Sequence, residues 1–199
     1  ETVHREWGVE YELDVSQVMF SRGNVSEKKR LASLCKEGEV VLDMFAGIGY
    51  FTLLALVVRK EKRKLRWKLE ETQTRHETER GGEKGAMRGD SPRGESVKTS
   101  ESSTGEFEGR GALDWDLNWV AMEKNPVSCD YLRRNLIRNK VDKGVFVLCG
   151  DNREVGNEWK GRCDRVFMGY FPDTRKFLRR AVEMIHTRHG GTTLFAPLL

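Results

Sequence analysis

Four places in this sequence of 199 residues set acidic, amide or glycine residues directly after apolar runs, where they could hold a polar ligand. Asp43 closes the run Val40-Val41-Leu42 and leads into Met44-Phe45-Ala46-Gly47-Ile48-Gly49. Glu123 closes Trp119-Val120-Ala121-Met122. Asp151-Asn152 follows Val145 to Gly150, and Gly169-Tyr170 follows Val166-Phe167-Met168. Glycines such as Gly47 and Gly49 let a backbone turn sharply and approach a ligand closely. The turn is not the full dinucleotide fingerprint, because Thr52 stands where its third glycine would be. Discounting a 54-residue polar insert, Glu123 lies 20 residues beyond Gly49. That spacing suits a carboxylate that accepts both hydroxyls of a ribose. Asp151 or Asn152 could accept a hydrogen bond from the exocyclic amine of adenine. The set reads as an adenosine pocket, with Asp43, Phe45, Ala46, Gly47, Gly49, Glu123, Asp151 and Asn152 as cofactor-contact candidates. Without a phosphate-binding glycine pattern, S-adenosyl-L-methionine fits better than NAD.

Positioning such residues requires a sheet. The chain reads as short strands over 3–20, a helix from Val25 and a strand over Val40–Phe45. A helix follows from Tyr50 to about Arg59. After the insert come a strand at Trp119–Met122, a helix over Val127–Asn139 and strands at Val145–Cys149 and Asp164–Met168. A helix from Thr174 to His189 and a strand at Thr192–Phe195 end the series. This order predicts a parallel, doubly wound α/β sheet, whose ligands bind at the carboxyl ends of the strands. Asp43, Glu123, Asp151 and Gly169 all fall there.

Composition agrees. Hydrophobic residues make up 38% and charged residues 33% of the chain, but residues 59–112 hold only 8 apolar residues in 54. The rest has a normal globular share, which excludes a disordered, collagen-like or disulfide-stapled chain. Residues 59–112 are expected to form a low-complexity, disordered insert, whose first part, Arg59 to Lys64, could extend the preceding helix. Residues 1–37 are expected to pack as a strand and helix segment on a domain made of 38–58 and 113–199. The net charge of +4 comes mostly from the insert, so composition alone makes no case for nucleic acid. The four cysteines form no C-x-x-C pair. Free thiols in a reducing, cytoplasmic compartment are expected, with no metal, no membrane span and a monomeric chain. His186-x-x-His189 lacks a third ligand. Trp7, Trp115, Trp119 and Trp159 are expected to be at least partly buried, and Arg133-Arg134 and Arg179-Arg180 to be solvated. The seven basic residues in ten from Arg59 to Lys68 could touch phosphates, but a solvated helix end explains them as well.

The motifs also resemble a known superfamily. Glu6-Trp7-Gly8-Val9, the stretch from Asp14 to Ser21, Gly23-Asn24 and the stretch from Val41 to Thr52 are similar to a group of tRNA-modifying enzymes. It unites tRNA (guanine-N1)-methyltransferases with the tRNA wybutosine-synthesizing protein 2 family. Glu123-Lys124-Asn125-Pro126, Gly150-Asp151-Asn152-Arg153 and Asp164 to Gly169 extend the match. The resemblance implies a class I S-adenosylmethionine-dependent methyltransferase-like, Rossmann-like fold of the α/β class, here truncated after strand five. It implies tRNA(Phe) as partner. It adds Ser21 and Lys28 as cofactor contacts, an ammonium being able to hold the methionine carboxylate. Gly169 and Tyr170 become substrate-side candidates. Gly169 stands where the methyltransferase branch carries an Asn, which favours the wybutosine branch. That branch transfers the 3-amino-3-carboxypropyl group of the cofactor to the tricyclic base 3′ of the anticodon. Guanine N1-methylation, and a non-catalytic fragment that binds cofactor or tRNA only, stay open as alternatives. No catalytic residue is assigned.

Overall fold

A computed structural model describes residues 1–20, 25–81, 118–170, 173–186 and 192–195. The chain divides into two compact units, Glu1–Arg63 with Trp115–Leu199, and Lys64–Asp114. The first unit carries a five-stranded parallel sheet of β3 (Val41–Asp43), β4 (Trp119–Glu123), β5 (Val145–Cys149), β6 (Arg165–Met168) and β7 (Thr192–Phe195). Their spatial order is β5-β4-β3-β6-β7. The first parallel strand therefore lies in the middle, and the direction of winding reverses between β3 and β6. This is the class I methyltransferase-like α/β fold.

Side chains alternate across each strand, and two cores follow from that alternation. Val41, Trp119, Ala121 and Phe167 face one layer. That layer contains α1 (Val25–Leu34), the first turns of α2 (Thr52–Gly81) and α3 (Pro126–Arg138). Leu42, Val120, Met122, Val166 and Met168 face the other, where Phe177, Ala181 and Met184 pack. Asn125 caps α3, its Oδ1 accepting from the Val127 N–H at 2.9 Å, and Pro126 takes the first helical position.

The N-terminal strands form an antiparallel hairpin, β1 (Thr2–Glu6) and β2 (Val9–Leu13), closed by Trp7 and Gly8. Both turn residues have positive φ, 53° and 77°, as a two-residue hairpin of this twist requires. The turn leaves Trp7 55% exposed with the Lys29 ammonium over its ring, which corrects the expectation of burial. Trp119 is fully buried, and Trp115 lies outside the described residues.

One edge of the hairpin is completed by a helix. Asn139 Oδ1 accepts from the Glu10 N–H at 2.9 Å, and its Nδ2 donates to the Glu10 carbonyl at 2.7 Å. One turn away Asn135 treats Glu12 the same way, at 2.6 and 3.1 Å. Side chains four apart on a helix are about 6 Å apart along its axis, close to the two-residue step of a strand. Two amides, one on α3 and one at its C-cap, thus stand in for a neighbouring strand. Asn135 is fully buried and also donates to the Ile48 carbonyl at 3.2 Å, which ties the hairpin to the glycine turn.

Three expectations are corrected. α2 does not fade near Arg59 but runs to Gly81. Its extension is rich in Lys, Arg, Glu and Leu, all good helix formers, and carries an Arg66–Glu70 pair at 3.6 Å. Arg59 itself is buried, with Nη2 donating to the carbonyls of Lys36 and Glu39. Residues 82–112 of the expected insert lie outside the described residues. The last helix is shorter than expected: a 3₁₀ turn at Arg175–Phe177 leads into α4 (Leu178–Met184), and Ile185 is already extended and bridged to Cys163. Arg180 is 6% exposed rather than solvated. Among the described residues no helix is long and apolar enough to cross a membrane.

Replacing Asn135 with Ala removes three side-chain hydrogen bonds at a fully buried position and strands the Glu12 N–H. Urea denaturation should show a loss of about 2–4 kcal/mol. The same change at part-buried Asn139 should cost about 1 kcal/mol. Equal losses would contradict the link through Ile48.

Candidate functional site

A cavity of about 330 Å³ opens at the carboxyl ends of the strands. Four of the strands contribute at or just beyond their ends: Phe45 after β3, Glu123 at the end of β4 and Lys124 after it, Gly150 to Arg153 after β5, Gly169 and Tyr170 after β6. It sits at the point where the winding reverses, where doubly wound sheets bind ligands.

The turn after β3 is held from beneath. Asp43 is fully buried and does not line the cavity. One of its oxygens accepts from the Phe45 N–H at 3.1 Å, the other from Thr52 Oγ1 at 2.8 Å. Thr52 Oγ1 in turn accepts from Trp119 Nε1 at 3.1 Å. The expectation of a ligand contact at Asp43 is therefore corrected to a supporting role: its carboxylate lies buried beneath the turn, away from the cavity. Gly47 has φ 56°, and a Cβ there would come within 2.6 Å of the Tyr50 ring. Gly49, at φ 103°, would meet Leu53 at 2.7 Å. Only glycine fits these positions. Ala46 is buried, with its N–H given to the Met122 carbonyl at 2.9 Å.

Glu123 fastens the turn to the next strand. Its Oε2 accepts from the Gly47 N–H at 2.8 Å and its Oε1 from the Asn125 N–H at 2.8 Å. A carboxylate has about four acceptor positions, so two remain for a diol. Asp151 and Asn152 divide their work. Asp151 is engaged by Arg153 Nε at 2.8 Å and by Lys124 Nζ at 3.2 Å, and the Arg153 guanidinium holds its carboxyl well below the usual carboxylate range. Asn152 is 6% exposed; its Nδ2 donates to the Met44 carbonyl at 2.8 Å, while its Oδ1 is buried with no partner among the described residues. That unmet acceptor, on a residue lining the cavity, fits a ligand that brings an N–H.

Sequence reasoning missed what holds Asn152. Arg180, on α4, donates to the Asn152 carbonyl at 3.0 Å and to the Val155 carbonyl at 2.8 Å. It also missed the aromatic wall: Phe45 lies 5.0 Å from Tyr170 and 4.8 Å from Phe177, ring to ring. An apolar residue three before Arg180 was the available signal for Phe177; nothing in the sequence distinguished Arg180 from its neighbour. Lys28 is buried, not lining the cavity. Its ammonium pairs with Glu6 at 3.2 Å among the rings of Tyr11, Phe20 and Tyr50. The Tyr50 ring is the one packed over Gly47, so Lys28 stands one ring from the glycine turn. Ser21 lies outside the described residues. His186 and His189 form no described pair, His189 lying outside the described residues, and no cluster of His, Cys, Asp or Glu among the described residues could hold a metal.

Burial pushes the Asp43 carboxyl up to about 6. The folded protein therefore keeps a proton that the unfolded chain releases near pH 4. This contribution to stability is complete below about pH 4 and lost as pH rises through 6. Asp43→Asn cannot titrate. Between pH 4 and 7, denaturant titrations should show the unsubstituted chain losing about 3 kcal/mol relative to the variant; parallel curves would refute the buried acid.

Comparison with known proteins follows the same lines. The family model described as the TRM5/TYW2 methyltransferase domain matches residues 2–76 and 104–192. A tRNA(Phe) (4-demethylwyosine(37)-C(7)) aminocarboxypropyltransferase of Methanocaldococcus jannaschii is 33% identical over 188 residues, 94% of this chain and 52% of that protein. Its namesake in Pyrococcus horikoshii is 28% identical, over 92% of this chain and 45% of that one. The chain thus spans about half the length of these curated relatives. Among solved structures, M. jannaschii TYW2 in complex with AdoMet has a TM-score of 0.60 at 33% identity, covering 92% of this chain and 57% of that one. The M. jannaschii tRNA m1G37 methyltransferase, at 20% identity and a TM-score of 0.60, shares the fold. The chain belongs to the TRM5/TYW2 methyltransferase-domain family.

Proposed function

We propose that this chain is the cofactor-binding part of an S-adenosylmethionine-dependent transferase. In this reading it moves the 3-amino-3-carboxypropyl group to the tricyclic wyosine-precursor base 3′ of the anticodon in tRNA(Phe). The observation that carries the reading is a cavity lined both by Glu123, which keeps free acceptor positions, and by Asn152, whose Oδ1 has no partner among the described residues. The 33% identity to an aminocarboxypropyltransferase supports the choice of group. The four free thiols support a reducing, cytoplasmic setting.

The residues divide the work as follows. Glu123 accepts the two ribose hydroxyls, and Asn152 Oδ1 accepts the adenine amine. Gly47 and Gly49 let the backbone approach, and Phe45, Tyr170 and Phe177 exclude water from one side. The family resemblance assigns Lys28 and Ser21 to the methionine carboxylate, a contact that would fix the sulfonium carbon that faces the base. When bound, the sulfonium would supply an activated carbon whose leaving group is a neutral thioether, the base releasing to water the proton that the new bond replaces. Little acid catalysis is then required, and the rate comes mainly from positioning and exclusion of water. Gly169 supports this reading over guanine N1-methylation, since it has no side-chain amide to orient a guanine.

Two measurements test this. Calorimetry should show S-adenosylmethionine binding that weakens by roughly 10- to 100-fold in Glu123→Ala, the loss of hydrogen bonds to a charged acceptor. With precursor-bearing tRNA(Phe), label in the methionine carboxyl should enter the tRNA and label in the methyl should not. Methyl label in the tRNA would turn the reading to methylation; neither label, from folded and cofactor-bound protein, would leave a binding role only.

A further inference from the structure

A second cleft, of about 300 Å³, opens at the other end of the sheet, where α1 leads into β3 and α2 passes the amino ends of the strands. Its lining is basic: Lys36, Arg59, Lys60, Lys62 and Arg63 against one acid, Glu37, with Ser33 and Cys35. Arg59 is 5% exposed. Its Nη2 is used on the carbonyls of Lys36 and Glu39, but Nε and Nη1 are buried without a partner among the described residues. A guanidinium holds its proton in proteins, so a charge with unmet donors lies beneath this cleft.

Glu39 is committed elsewhere. The Glu39 carboxylate is taken by Arg165, at 3.0 and 2.8 Å, and by the Lys36 N–H at 2.9 Å. Lys36 and Lys62 are in no ion pair among the described residues. The Lys60 ammonium is turned to the carbonyls of Asn139 and Lys140. Cys35 is no nucleophile: its thiol donates to the Leu31 carbonyl and burial pushes it up to about 11. The cleft sets a single carboxylate, Glu37, against five cationic side chains.

We propose that this cleft is an oxyanion site that takes a phosphate group, held by Arg59, Lys36 and Lys62. A phosphate offers oxygens in several directions, enough for a buried guanidinium and two ammonium groups at once. Its source is either the backbone of an RNA or a free phosphate compound. The site stands apart from the transferase cavity and does not depend on the function proposed for it.

The test uses the whole chain, titrated with inorganic phosphate at constant ionic strength and, separately, with an anticodon stem-loop RNA. S-adenosylmethionine binding is read on the same samples. The double substitution Lys36→Ala/Lys62→Ala changes two exposed side chains and should leave folding intact. Phosphate binding should weaken on the order of tenfold in it, with cofactor binding unchanged. If the source is RNA, the stem-loop should lose affinity as well, the slope of log K against log salt should shrink by about one for each phosphate no longer neutralised, and free phosphate should compete. Phosphate binding without RNA binding assigns the site to a small anion. Phosphate or RNA affinity that is the same in the double variant, or no phosphate binding at all, overturns the proposal. Should Arg59→Met fail to fold, the lysine pair still decides.

Discussion

The structure depends on a buried chain of hydrogen bonds from Trp119 Nε1 to Thr52 Oγ1 to Asp43, which ends on the N–H of Phe45. It joins the second parallel strand, the first turn of α2 and the loop that follows the first strand. The side chains of Trp119, Thr52 and Asp43 are fully buried, so none can exchange its partner for water, and an unpaired member would be costly. The loop that approaches the ligand is thereby fixed by groups the ligand never touches. A third glycine at position 52 could not do this, because it has no hydroxyl to receive Trp119 and give to Asp43. The departure from the dinucleotide fingerprint is thus a change in how the turn is secured.

The other half of the cavity is fixed by charge. Arg180 reaches from α4 to two carbonyls in the loop after β5, and Lys124 and Arg153 close on Asp151 from the cavity side. The arginine at the back is buried and the cations at the front are exposed, so only the front ones respond readily to salt. What they leave between them is one amide oxygen, on Asn152, with nothing to accept. A buried acceptor left unmet concentrates the selectivity of such a site there, beside what Glu123 still offers.

The strand order and the positions of Glu123, Asp151 and Gly169 were legible in the sequence, because buried parallel strands are uninterrupted apolar runs and polar residues at their ends stand out. The roles within the site were less so. Asp43 and Glu123 both end strands, yet one is fully buried and the other opens on the cavity. The Thr52 hydroxyl that binds Asp43 lies nine residues on, where no strand-end pattern points to it. Arg180 beside Arg179 carried no mark of burial, since which of two neighbouring arginines faces the sheet depends on where the helix begins, and a 3₁₀ turn moved that start. The length of α2 was underestimated because its extension has no apolar face; helix propensity without periodicity reads as a polar insert. The resemblance to tRNA-modifying enzymes supplied the family but not these supports.

The amides of Asn135 and Asn139 have one more consequence. A strand at the margin of a sheet shows a row of unpaired N–H and C=O groups that another chain can add to. In β2 that row is occupied at Glu10 and Glu12 by side chains of a helix, which cannot recruit a further strand as a real neighbour would. The hairpin is thus closed to growth on that side, and its two-strand sheet ends against a helix instead of offering a template for self-association.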